Sequence, residues 1–180
     1  MLKMKHFKAK ICMFGEPTVG KTSLIRRYVY NMFDDRYLVT IGTKVTKKTV
    51  DFEINSEKVK VELLLWDIVG HQSFRNLLKD AYFFGAQGLI GVADVTRKDT
   101  LFALEDWIRS IKTVVNISSI PIVFVANKID LDNKEFGEEE MKEFSQKCGV
   151  EKYLFTSAKT GEKVNEVFEY LARKIVEKSL

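Results

Sequence analysis

The segment Gly15-Glu16-Pro17-Thr18-Val19-Gly20-Lys21-Thr22 reads G-x-x-x-x-G-K-T, the residue types that cradle a polyphosphate. Glycines let backbone N–H groups turn inward on the anion, and the helix that follows adds the positive end of its dipole. The Lys21 ammonium would reach the β- and γ-phosphates, and the Thr22 hydroxyl, with Ser23 next to it, would face Mg2+. Before the loop stands Ile11-Cys12-Met13-Phe14, an apolar run expected as a buried strand. After it, Leu24, Ile25, Tyr28, Val29 and Met32 recur on one face of an expected helix.

Three later stretches narrow the chemistry. Asp67-Ile68-Val69-Gly70 is a D-x-x-G that follows the strand-like run ending at Trp66. An aspartate there can hold Mg2+ through a water, and the glycine can offer its N–H to a γ-phosphate. Asn127-Lys128-Ile129-Asp130 is an N-K-x-D after another apolar run. A buried carboxylate at Asp130 would accept the N1–H and exocyclic amine of guanine, a pair of donors adenine lacks. Polar matching of that kind discriminates by up to about 10⁴ to 10⁵ in favourable sites. Thr156-Ser157-Ala158-Lys159 closes the set, placed so that a backbone N–H would meet the guanine O6. Each tetrapeptide alone is an ordinary turn former; their order at successive strand ends is not.

The elements that must position these loops alternate along the chain. Residues 45–54 and 58–66 read as an antiparallel hairpin turning at Asn55-Ser56-Glu57. Further strands are expected at 88–93, 120–126 and 153–155. Between and after them lie helices carrying Leu101, Leu104, Ile108 and Ile111, and Val164, Val167, Phe168, Leu171 and Ile175. Gly149 is an expected helix stop. The pattern predicts an α/β fold with a doubly wound, mostly parallel sheet and helices on both faces, with ligands at the carboxyl ends of the strands.

Composition bounds the rest. The chain has 180 residues, 46% of them apolar, and a net charge of +4, enough for one domain over 1–180 and little reason to invoke nucleic acid. Lys3, Lys5, Lys8 and Lys10 read as a solvated face leading into the first strand, with a membrane-surface patch as the alternative. Two cysteines, Cys12 and Cys148, offer neither a disulfide framework nor metal spacing, which suits a reducing cytoplasm. No run has the length of a membrane span.

From about Lys8 to Lys178 the sequence resembles the Ras superfamily of small GTPases, and most closely its Rab-like branch. Besides the four motifs, Thr40-Ile41-Gly42 is similar to the T-I-G of the first switch, Leu65-Trp66-Asp67 to L/I-W-D, and Tyr82-Phe83-Phe84-Gly85-Ala86 to Y-Y-R-G-A. The resemblance implies a P-loop NTPase fold with a six-stranded sheet containing one antiparallel strand, and a monomeric Mg2+-dependent switch that binds GTP and GDP and hydrolyses GTP. It also implies that Phe33 edges the guanine, Tyr37 covers the phosphates, and Thr40 is the second Mg2+ ligand. Asn127 would contact the base; Lys128 would pack across it and tie down the phosphate loop. Effector, exchange and activating proteins would dock on residues 33–43 and 67–79.

Three positions depart from the family pattern. His71 stands where a glutamine usually orients the attacking water, with Gln72 one place late. A slow or partner-activated hydrolase using His71, substitution by Gln72, and a binding-only switch or scaffold all remain open on the residues. Pro17 replaces a small residue where an activating arginine would enter; Arg36 is the nearest arginine of this chain to that role. The end of the chain, Glu177-Lys178-Ser179-Leu180, has no prenylation cysteine, and Leu2 stands where N-myristoylation needs glycine, so no lipid anchor is expected. A P-loop kinase acting with ATP is the third class, and Asp130 counts against it.

Overall fold

The computed structural model describes residues 4–36, 42–68 and 72–180, with the side chains of 72–77 outside the description. In order, the elements are β1 (Lys5–Phe14), α1 (Lys21–Tyr30), β2 (Thr43–Ile54), β3 (Glu57–Ile68), α2 (Gln72–Phe83) and β4 (Gly88–Asp94). Then follow α3 (Lys98–Ile111), a short 3-10 turn (Ile117–Ser119), β5 (Ile122–Asn127), α4 (Glu138–Cys148), β6 (Lys152–Thr156) and α5 (Val164–Glu177). One six-stranded sheet has the order β2-β3-β1-β4-β5-β6; every pairing is parallel except β2 with β3. This is the mostly parallel, doubly wound architecture the alternation predicts.

The burial of each strand follows its place in the sheet. All of β4 is buried, as a central strand covered on both faces must be. In β3, Val59, Val61, Leu63 and Leu65 face one core while the residues between them are only partly covered. That core packs α1 and α5 on one face, through Leu24, Ile25, Tyr28, Phe168 and Leu171, with Tyr28 and Phe168 stacked at 4.3 Å. The opposite face packs α2, α3 and α4 through Tyr82, Phe83, Leu104, Trp107, Met141 and Phe144. Among the described residues no helix is long and apolar enough to cross a membrane.

Several boundaries differ from the sequence expectation for local reasons. Asn55 and Ser56 both take positive φ, 50° and 65°, making a two-residue turn whose twist suits a hairpin, so Glu57 starts β3 opposite Ile54. Lys5, Lys8 and Lys10 of the basic cluster lie within β1 rather than ahead of it, and Lys3 is outside the described residues: Lys5 pairs with Glu57 at 2.6 Å, and Lys10 sits 3.8 Å over the Trp66 ring. Helix α1 stops at Asn31, whose left-handed backbone caps it on the Arg27 carbonyl, so Met32 lies beyond the helix and is 62% exposed. Gly149 stops α4 as expected, at φ 69°.

The ladder between β1 and β3 runs from Lys5–Val59 to Cys12–Trp66, and further along β1 pairs with β4 alone up to Phe14. The buried Tyr82 hydroxyl fills the opening. It accepts the Met13 N–H at 3.2 Å and turns its proton toward the carbonyls of Met13, at 2.9 Å, and Trp66. Both strands run from here into candidate functional loops. Tyr82→Phe strands these buried backbone groups, and we expect a loss of about 1–3 kcal/mol. A lowered urea midpoint at unchanged slope is the readout; an unchanged midpoint would mean that the strand ends are satisfied without the hydroxyl.

Candidate functional site

The phosphate-loop segment closes on itself through close approaches that exclude side chains. Gly15 has φ 137°, and a Cβ there would lie 2.3 Å from the Val92 carbonyl oxygen. Gly20 has φ 105°, and a Cβ would lie 2.2 Å from Asn127 Nδ2. Gly20 also caps α1 in a left-handed conformation, so the N-terminus of α1 opens on the loop. Thr18, at φ 67°, is exposed, whereas Val19 is buried in the core beneath.

Lys21 curls back over this loop. Its ammonium donates to the carbonyls of Gly15 at 2.9 Å and Glu16 at 2.8 Å, and only 6% of the residue is exposed. Burial pulls its pKa down to about 8, against the opposing charges of Asp67 and Glu16. It is still mostly protonated at neutral pH, a cation with carbonyl partners and an incomplete hydrogen-bond shell. Three side chains from elsewhere brace the loop: Trp107 Nε1 donates to Glu16 Oε1 at 3.0 Å, Arg97 Nη2 to the Pro17 carbonyl at 2.9 Å, and Asn127 Nδ2 to the Val19 carbonyl at 3.0 Å.

Beside Lys21, the Thr22 hydroxyl donates to Asp67 Oδ2 at 2.5 Å. The other carboxylate oxygen, Asp67 Oδ1, is buried and has no hydrogen-bond partner among the described residues. Burial pushes the Asp67 carboxyl up, partly offset by the Thr22 hydroxyl and the Lys21 charge. A hydroxyl and an orphaned carboxylate oxygen side by side are the donors of a hard cation such as Mg2+, which binds proteins by one or two oxygens and takes the rest from phosphate and water. Among the described residues no group of three His, Cys, Asp or Glu gathers into an all-protein metal cage.

The other two loops meet at Asn127. Its Oδ1 accepts the Thr156 hydroxyl at 3.0 Å and the Ala158 N–H at 3.2 Å, while its Nδ2 holds Val19. The Ser157 hydroxyl donates to Asp130 Oδ1 at 2.6 Å and accepts the Thr160 N–H at 3.0 Å. Asp130 is exposed, not buried as its sequence context predicts. Lys128, at φ 71°, sends its ammonium to Asp94 Oδ2 at 2.7 Å. The expected tie from Lys128 to the phosphate loop is therefore indirect: the same Asp94 carboxylate receives Arg97, and Arg97 holds Pro17. Lys159 is exposed and pairs with Asp35 at 3.8 Å. Phe33 is half-buried against the α1 and α5 core, and Arg36 is held on its own turn by Asp34.

Lys21, Thr22, Asp67, Asn127, Ser157 and Ala158 are thus brought to one end of the sheet, at the carboxyl ends of β1, β3, β5 and β6. Tyr37, Thr40, Gly70 and His71 lie outside the described residues, as does the side chain of Gln72. Ser23 is half-buried on the first turn of α1. Sequence reasoning missed Asp94, Arg97, Trp107 and Arg27, because no motif spacing marks a side chain that acts on a loop far away in the chain.

The description "Ras family" matches residues 10–177. The chain is 38% identical over 168 residues to the Ras-related protein Rab-18-B of Danio rerio, covering 93% of this chain and 79% of that protein. It is 38% identical over 171 residues to the Ras-related protein Rab-18 of Caenorhabditis elegans, covering 93% and 80%. It is 34% identical over 169 residues to the Ras-related protein SEC4 of Saccharomyces cerevisiae, covering 94% and 75%.

Asp94 is the hub of the bracing and it titrates. Burial raises its pKa, but the bonds from Lys128 and Thr96 outweigh burial and hold the carboxyl below its usual 3.8. A lowered folded value means that this stabilisation is complete above about pH 4 and is lost as pH falls below that. Asp94→Asn should cost about 1–3 kcal/mol at neutral pH. Its unfolding free energy should then decline less steeply than wild type between about pH 5 and 2. Parallel acid limbs in urea titrations of the two proteins would assign the acid sensitivity to other carboxylates.

Proposed function

The chain belongs to the Ras family, as a Rab-like, GTP-binding small GTPase, and on that premise we propose that residues 1–180 form one G domain that takes GTP or GDP with Mg2+ and slowly hydrolyses GTP to GDP and phosphate. The observation that carries this reading is the Asn127 carboxamide, which bonds Val19 of the phosphate loop with one end and Thr156 and Ala158 of the base loops with the other. It supports a single ligand with phosphates at one end and a base at the other.

In this reading the backbone N–H groups from Gly15 to Thr22, Pro17 excepted, and the Lys21 ammonium bind the polyphosphate. The buried Lys21 gains the anionic partner its carbonyls do not supply. Thr22 directly, Asp67 through a water, and Thr40 would hold Mg2+, which when bound polarises the phosphoryl oxygens. The orphaned Asp67 Oδ1 supports that assignment. Asp130 would accept the guanine N1–H and amine in the plane of the base, becoming buried at its edge, with Lys128 and Phe33 flanking the base. Tyr37 would cover the phosphates.

For hydrolysis, His71 would orient a water in line with the γ-phosphorus, and the Gly70 N–H would hold a γ-phosphate oxygen. Lys21 and the loop amides would stabilise the charge that builds on the oxygens of the leaving and transferring groups. The water oxygen bonds to phosphorus as the bridging P–O bond breaks, and its proton ends on phosphate. Slowness follows from a histidine in place of a carboxamide and from the lack of an arginine in that position. Residues 33–43 and 67–79 would be ordered by the γ-phosphate and read by effector, exchange and activating proteins. We place this activity in the cytoplasm, where reduced cysteines persist; Cys12 is buried and its thiol is pushed up to about 12 by burial.

Single-turnover phosphate release from GTP-loaded protein tests the catalytic assignment. Wild type should turn over, and His71→Ala should lose at least about tenfold in rate; no release from wild type, with GTP still bound, would make the chain a binding-only switch. Thr22→Asn should weaken Mg2+ and GTP binding more than GDP binding, and equal losses for both nucleotides would sink the metal assignment.

A further inference from the structure

Arg27 belongs to none of the motifs, yet two nitrogens of its guanidinium bind the loop that follows β6, and the third binds Asn31 at the end of α1. Its Nε donates to the Ala158 carbonyl at 2.8 Å and its Nη2 to the Lys159 carbonyl, while Nη1 donates to Asn31 Oδ1 at 3.0 Å. Gly161, at φ 89°, lies so close that a Cβ there would touch Arg27 Cδ at 3.6 Å. The fork therefore grips two consecutive peptide units of a loop 131 positions away in sequence.

That grip fixes the direction of the loop's donors. No peptide bond among the described residues is cis, and in a trans peptide the C=O and the N–H that follows point opposite ways. Holding the Ala158 carbonyl toward α1 turns the Lys159 N–H away from it. Holding the Lys159 carbonyl does the same for the Thr160 N–H, which indeed meets Ser157 Oγ at 3.0 Å. The Ala158 N–H is engaged by Asn127 Oδ1. Among the described residues no acceptor takes the Lys159 N–H, and the charged bond on the carbonyl of the same peptide polarises it further.

We propose that Arg27 is a positioning residue for base recognition: by clamping the Ala158 and Lys159 carbonyls it presents the Lys159 N–H as a fixed donor to O6 of a guanine base. The inference rests on the guanine-nucleotide reading above. A fixed donor there rewards the carbonyl of guanine and opposes the amino group that adenine carries at the same position. Arg27 itself touches no part of the nucleotide.

The test compares wild type, Arg27→Ala and Arg27→Gln against GDP, inosine diphosphate and 6-thioguanosine diphosphate by calorimetry at pH 7 with Mg2+. Inosine keeps O6 and lacks the amine; the thio analogue replaces O6 by a poor acceptor. In wild type GDP should bind about tenfold more tightly than the thio analogue, the worth of about one hydrogen bond. In Arg27→Ala that ratio should fall to less than about threefold, while the ratio of GDP to inosine diphosphate stays as in wild type. Arg27→Gln, which keeps a donor for one carbonyl, should fall between. If Arg27→Ala weakens all three nucleotides by one common factor, the residue only braces the fold and the proposal fails. If wild type discriminates and the Arg27→Ala ratio matches it, the proposal fails alone; if wild type binds no GDP, the guanine reading falls first and this inference falls with it.

Discussion

The side chain of Asn127 holds the two halves of the site in register. Its carboxamide has two acceptor and two donor positions. Thr156 and Ala158 fill both acceptor positions, and Val19 takes one donor. A buried amide must be satisfied in a low dielectric, so the geometry of these partners is tightly set. The approach is close enough that a methyl on Gly20 would overlap Nδ2. The phosphate loop, the turn after β5 and the loop after β6 therefore cannot shift independently.

Around that joint the structure holds charges in states that favour a ligand of opposite sign. Lys21 is buried among carbonyls and its ammonium is easier to deprotonate than in water; Asp67 is buried, with one oxygen unpartnered among the described residues, and is harder to ionise. A polyphosphate would stabilise the charged form of Lys21, and a hard cation that of Asp67. The site has thus given up local stability to be preorganised, and no reorganisation is needed when the partner arrives. The outer bracing compensates. Asp94 gathers Lys128 and Arg97, Arg97 holds Pro17, Trp107 holds Glu16, and Arg27 holds the loop after β6. These are charge-assisted or buried bonds, stronger than those on an open surface.

The sheet makes the bracing possible. β1 leaves β3 at Cys12 and continues against β4 only, and the gap at that splay is closed by the Tyr82 hydroxyl. Ligands of open α/β sheets sit where neighbouring strands diverge in this way, outside their carboxyl ends.

Much of this was legible in the sequence. Alternation of apolar runs with helical periodicity determined the doubly wound α/β sheet, since periods of 2 and 3.6 are local properties of the chain. The glycine spacing of the phosphate loop and the order of the four loop motifs determined which residues meet at one end of the sheet, because topology brings successive strand ends together. Local chemistry also decided several boundaries that pattern reading had slightly misplaced: two positive φ angles at Asn55 and Ser56 set the hairpin turn, and Asn31 ended α1 before Met32. Only the tertiary structure decided that Lys128 reaches Asp94 rather than the phosphate loop, that Asp130 is exposed, and that Arg27, Arg97 and Trp107 take part at all. Those outcomes depend on distances between residues far apart in sequence, where a few ångströms separate an ion pair from solvent, and no pattern along the chain encodes them.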